Sequence, residues 1–109
     1  KLVLDTGNTL ARKEDPVAFA ERFLGDFVHV HLKDIEYPEN ATTGDVDVDG
    51  RRMWNAQHGE GVVDFAKLLP MIEKTGYKGF VTVEYGPHEG TRDHFAKMAE
   101  SIRYLEGLL

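Results

Sequence analysis

Three short apolar runs, KLVLD at 1–5, FVHVHL at 27–32 and GFVTVE at 79–84, are separated by stretches long enough to hold helices. A β-strand alternates its side chains between two faces, so His29, His31 and Lys33 share one face of the second run, as Phe80, Thr82 and Glu84 share one of the third. Strands alternating with helices build a parallel sheet, and such sheets gather their polar chemistry at the carboxyl ends of the strands. Asp5, His31 and Glu84 fall at those ends and are expected to point the same way.

The intervening segments carry helix punctuation. Asp15 is expected to cap a helix with Pro16 in its first position, Val17, Ala20 and Phe23 or Leu24 on its buried face, and Gly25 at its close. Asp64 should cap a second helix that buries Phe65, Leu68, Leu69 and Ile72 and ends before Gly76. Pro70 sits early enough to be tolerated with a kink, since the carbonyl it displaces belongs to Ala66. In the stretch from 91 to 109, Phe95, Met98, Ile102, Leu105 and Leu109 recur at helical spacing and predict a long amphipathic helix that closes the unit. GNTLARKED at 7–15 reads as a polar connection.

Residues 35–62 show no sustained period and are broken by Pro38, Gly44, Gly50, Gly59 and Gly61, as in a long loop that is functional or else a mobile surface segment. The functional reading is favoured by Arg51, Arg52, Met53, Trp54, Gln57 and His58, a mixture of cations, one indole and hydrogen-bonding groups suited to sugar faces and hydroxyls. Trp54 and His58 are candidates to line a pocket, with simple loop packing as the alternative. The Gly59-Glu60-Gly61 turn reads as structural, His29 as a hydrogen-bonded core histidine, and His88 and His94 as surface residues.

A formal charge of −6 opposes condensation on phosphate backbones and anionic membrane surfaces, so neither nucleic acid nor a membrane is expected as a partner. No apolar run approaches the ~20 residues that a bilayer-spanning helix needs. The absence of cysteine removes disulfides, thiolate metal sites and cysteine nucleophiles, and suits a reducing cytoplasm. Residues 1–109 are expected to form a single globular unit. Because Lys1 stands directly on a strand with nothing to cover its edge, that unit reads as part of a larger sheet.

Asp5, His31 and Glu84 supply two carboxylates and one imidazole, which suit Mn²⁺, Mg²⁺ or Co²⁺ and admit Zn²⁺. Their spacing along the chain carries little signal; their position at strand ends carries more. Polar strand ends hydrogen-bonded to loops are the alternative.

DTGN at 5–8, HVHLKD at 29–34, HGEGVVDF at 58–65 and GYKGFVTVE at 76–84 resemble the closing third of the xylose-isomerase-like TIM barrels, the sugar (phosphate) isomerase and epimerase superfamily. The resemblance implies a partial (β/α)₈ barrel made of the last three βα units, about strands 6–8. It also implies a divalent metal, Mn²⁺ foremost, held by Asp5, His31 and Glu84, with a further glutamate on a strand before Lys1. By the same resemblance Glu84 is both ligand and catalytic acid/base in proton transfer through a metal-stabilised enediolate. Asn8, Lys33 and Asp34 fall where the family contacts substrate. Asn8 replaces a histidine of several ketose epimerases, and Lys33 replaces a small residue, a cation that favours a phosphate or carboxylate on the substrate.

The implied function is therefore a cytoplasmic isomerase or epimerase of carbohydrate metabolism acting on a sugar or sugar phosphate, with the isolated chain not expected to complete the site. Alternatives are a C-glycoside-cleaving lyase on the same fold and a non-catalytic partial barrel that pairs with a missing amino-terminal half or with itself. An apurinic endonuclease of the same fold would need extra zinc-binding histidines and a basic surface, and the acidic charge opposes it.

Overall fold

The computed structural model describes residues 1–86 and 92–109. Its centre is a parallel sheet of three strands, β1 (Leu2–Asp5), β2 (Phe27–Leu32) and β6 (Val81–Val83), with β2 in the middle. Asp5 lies opposite His31 and His31 opposite Thr82, so the strand ends come level with one another. The Glu84 N–H continues the ladder one residue beyond β6 by donating to Leu32 O at 2.9 Å. The fold is thus mixed α/β with a parallel sheet, consistent with part of a TIM barrel.

Strand parity sets the two faces. Leu4, Val30 and Leu32 are buried against the helices with Val17, Ala20, Phe65, Leu68, Leu69 and Ile72, and Val83 packs on this cluster. The helices behave largely as their caps predict. In α2 (Pro16–Arg22), Asp15 accepts from Val17 N–H at 3.0 Å. In α3 (Phe65–Lys74), Asp64 accepts from Lys67 N–H at 3.1 Å, and the helix runs on through Pro70. Gly25 and Gly76, just past these helices, both have positive φ.

Three expectations need correction. GNTLARKED is not simply a connection: α1 (Thr6–Ala11) starts directly on β1, because the Asp5 carboxylate caps it by accepting from Asn8 N–H. Nor is 35–62 a structureless loop. It contains a small antiparallel sheet ordered β3 (Asp34–Glu36), β5 (Arg52–Ala56), β4 (Asp45–Val46), with Glu36 opposite Trp54 and Asp45 opposite Met53. Its tip is tied down: Asp47 accepts from the Asp49 and Arg51 N–H groups, Val48 N–H donates to Ala11 O at 2.9 Å, and the Lys13 ammonium lies 3.3 Å from Asp47.

The third correction concerns α4 (His94–Glu106), which docks through Ser101 and Leu105 and leaves Phe95 89% exposed and Leu109 67% exposed. Its rotation is set by polar contacts with the segment before α3. Ser101 Oγ accepts from His58 N–H, and Glu100 accepts from the Gln57 amide at 2.8 Å. His94 is half-buried with its ring edge-on to Tyr85, whereas His88 lies outside the described residues.

Candidate functional site

At the level rim of β1, β2 and β6, the inward faces carry Asp5, His31, Lys33 and Glu84. His31 Nδ1 contacts Glu84 Oε1. Lys33 Nζ lies 2.9 Å from Glu84 Oε2 and 3.8 Å from Asp5 Oδ2, so one ammonium links the outer strands across the central one. One layer deeper, His29 Nε2 pairs with Thr82 Oγ1 at 2.9 Å, and its ring lies 4.5 Å from that of His31.

Asp5 is held from beneath by α1. Its Oδ1 accepts from Asn8 N–H and its Oδ2 from the Asn8 amide, both at 2.9 Å. Asn8 itself is exposed at the rim. Lys33 is held as carefully: the Thr6 hydroxyl donates to Lys33 O at 2.6 Å and accepts from Lys33 N–H at 2.8 Å. Gly7 leaves the space that the lysine stem crosses, since a Cβ there would meet Lys33 Cδ at 2.8 Å.

The electrostatics follow this geometry. The Lys33 bond, strengthened by its charge and by His31, outweighs partial burial and holds the Glu84 carboxyl below its ordinary range. Burial pulls Lys33 down, but the Glu84 bond and the charges of Asp5, Glu84 and Asp45 outweigh it and raise it. Both groups are therefore ionised near neutrality, with Glu84 in the form that accepts a proton.

The donor types, two carboxylates and an imidazole, suit a divalent cation. Among the described residues, however, no three of His, Asp and Glu stand close enough together to hold one. The Lys33 ammonium lies between the two carboxylates.

Asp34 and His58, both expected at the substrate, are placed elsewhere. Asp34 is fully buried, and its carboxylate accepts four backbone N–H groups, those of Ile35, Gly59, Gly61 and Val63, at 2.9–3.0 Å. It is the knot around which the Gly59-Glu60-Gly61 turn closes, with no free face for a ligand. His58 is buried against Phe65, with Nε2 on Leu32 O at 2.9 Å. Trp54 is half-buried in the antiparallel sheet, and its indole N–H donates to Thr43 O at 2.9 Å.

Burial pushes the His58 imidazole below its ordinary 6.5, more than the Leu32 carbonyl and the Asp34 charge pull it up. Its Nδ1 has no hydrogen-bond partner among the described residues, so a second proton there would be stranded. The unfolded chain then takes up a proton that the native state resists, and stability should fall as pH drops below 6.5. Denaturation midpoints measured from pH 7.5 to 5 should show that decline, flattened in His58→Gln; identical slopes for both proteins contradict it.

Residues 1–108 match the family described as xylose isomerase-like TIM barrel. The chain is 33% identical over 103 residues to the rhizopine catabolism protein MocC of Rhizobium meliloti, covering 89% of this chain and 32% of that protein. It is 24% identical over 113 residues to an inosose dehydratase of Lacticaseibacillus casei, covering 99% of this chain and 38% of the relative. An inosose dehydratase of Klebsiella pneumoniae (strain 342) is 28% identical over 111 residues, covering 95% of this chain and 37% of the relative. The chain thus spans roughly a third of the length of the curated relatives it matches. No helix among the described residues is long and apolar enough to cross a membrane.

Proposed function

The chain belongs to the xylose isomerase-like TIM-barrel family, and from that premise we propose that it supplies the last three βα units, residues 1–109, of a cytoplasmic sugar-modifying enzyme that removes water from a cyclic polyol ketone. The observation that carries this reading is the convergence of Asp5, His31, Lys33 and Glu84 on one rim of the parallel sheet. Relatives named inosose dehydratase turn the proposed reaction from isomerisation or epimerisation toward elimination.

Asp5, His31 and Glu84 would hold the divalent cation, Mn²⁺ by preference, with Lys33 swung aside. When bound, that cation would offset negative charge developing on the carbonyl oxygen. Glu84, ionised and aimed by its contact with His31, takes the proton from the carbon beside the ketone. The electron pair of that C–H bond forms a carbon–carbon double bond as hydroxide leaves the next carbon, and the proton that Glu84 took is returned to the hydroxide to release water. An isomerase or epimerase shares only the first half of this sequence and returns the proton to carbon. Asn8 fixes the Asp5 carboxylate and presents its exposed side to the substrate. Lys33, once displaced, is placed to donate to a substrate oxygen.

Val3, Val28, Phe80 and Val81 are exposed along the sheet, which supports its completion by further strands of a longer chain or of a second copy. The reading is tested by incubating the complete enzyme that contains residues 1–109 with Mn²⁺ and an inosose in deuterium oxide. Deuterium entering the position beside the ketone, with growth of unsaturated-ketone absorbance, is expected; neither signal appearing refutes it.

A further inference from the structure

We propose that His58, which does not reach the rim, is a positioning residue for the base Glu84 and acts through the Leu32 carbonyl oxygen on which both converge, a role that rests on the proton-transfer reading above. His58 Nε2 lies 2.9 Å from Leu32 O, and the Glu84 N–H donates to the same oxygen at 2.9 Å. Glu84 stands one residue beyond β6, and this bond extends the β2 ladder to it. A carbonyl oxygen offers two lone pairs, and here both are taken. At the other end of the same peptide, the Lys33 N–H donates to Thr6 Oγ1 at 2.8 Å. The Leu32–Lys33 peptide is thus pinned at three points. Leu32 itself lies between His31 and Lys33, the residues whose side chains meet the Glu84 carboxylate.

The imidazole is fixed in this place from several directions. The His58 N–H donates to Ser101 Oγ on α4 at 3.2 Å, and the next N–H, that of Gly59, donates to Asp34. The ring packs against Phe65 with centroids 5.4 Å apart. Because Nε2 faces a carbonyl, it carries the proton, and Nδ1 is left bare and without a hydrogen-bond partner among the described residues. Packing alone does not account for such a residue, since phenylalanine would fill the space without stranding a nitrogen. Nor does Leu32 O need the imidazole for want of a donor, as the Glu84 N–H already supplies one. What the second bond adds is a fixed direction for that carbonyl, and so for the backbone that carries Glu84. Proton transfer from carbon depends on such alignment, and a displacement of about 1 Å can cost about a hundredfold in rate.

The test measures deuterium exchange beside the ketone of an inosose, with kcat and KM, in the complete enzyme that contains residues 1–109 and in its His58→Phe, His58→Gln and His58→Asn variants. Rates are taken per folded molecule, from circular dichroism and urea unfolding. Phenylalanine fills the place of the ring and leaves Leu32 O on the Glu84 N–H, so kcat should drop about tenfold or more at nearly constant KM while the fold holds. Glutamine carries an amide N–H to the position of Nε2 and should recover most of that loss, whereas asparagine is too short to reach Leu32 O and should not. Retained kcat in His58→Phe, a loss carried by KM instead, or His58→Gln no faster than His58→Asn overturns the positioning role and leaves Glu84 as the base. No exchange by the wild-type enzyme overturns both. Should His58→Phe not fold, the other two variants decide: His58→Gln faster than His58→Asn supports the role, and equal rates overturn it.

Discussion

Asp34→Ala is expected to destabilise the protein by about 3–5 kcal/mol, because a buried charge that satisfies several donors cannot be removed without stranding them. Four backbone N–H groups aim at this carboxylate: Ile35 and Val63 on Oδ1, Gly59 and Gly61 on Oδ2. Alanine would leave all four without their acceptor, and the bonds lost by Ile35 and Val63 are fully buried. A loss of that size is a large fraction of a domain's usual net stability of about 5–15 kcal/mol. Asp34→Asn should also be costly, since its amide nitrogen would face donors. Gly61→Ala belongs to the same experiment, because a Cβ there would sit 2.2 Å from Asp34 Oδ1 and 2.6 Å from the Ile35 carbonyl oxygen, which the backbone cannot evade. Urea unfolding measures both, and a loss under about 1 kcal/mol for Asp34→Ala contradicts the assignment.

Glu84→Gln should abolish deuterium exchange beside the ketone, by about a thousandfold or more, while leaving the fold intact. The amide matches the carboxylate in shape but cannot accept the proton or carry the charge that Lys33 and His31 address. Glu84 is only half-buried and its backbone N–H bond to Leu32 O is unaffected, so stability should change little. The split between lost chemistry and retained fold separates this residue from Asp34, whose replacement acts through stability. Exchange within tenfold of the wild-type rate would remove Glu84 from the role of base.

The strand ends were legible because parity is local: a run such as FVHVHL states which residues share a face before anything is known of its neighbours. Helices α2 and α3 were legible for the same reason, since Asp15 with Pro16, and Asp64, act within their own first turns. What escaped depended on distant partners. The antiparallel sheet of β3, β4 and β5 forms through pairings such as Glu36 with Trp54, which no periodicity in either segment announces. Helix α1 is six residues of TGNTLA, weak in helix propensity, and exists because Asp5 caps it. Along the stripe of α4, Leu105 is buried but Phe95 and Ile102 are exposed, with Glu100 and Ser101 bonded to the 57–58 segment.

Asp34 and His58 were candidates at the substrate, and the structure binds their side chains to backbone groups instead. A polar residue near the end of a strand looks the same in sequence whether it faces a ligand or a ring of backbone donors. The signal that separates the two was present in the glycines at 59 and 61, whose N–H groups converge on Asp34. Lys33 was readable as a cation beside the site, and only the structure shows that Asp5 and Glu84 already engage it.

The most direct test of the central claim is to locate Mn²⁺ by its anomalous X-ray scattering in crystals, grown with the ion, of the complete enzyme that contains residues 1–109. The account predicts one manganese peak at the strand ends, bonded to Asp5, His31 and Glu84, with the Lys33 ammonium moved away from both carboxylates. A peak at any other place, or none while Lys33 still bridges Asp5 and Glu84, would contradict it.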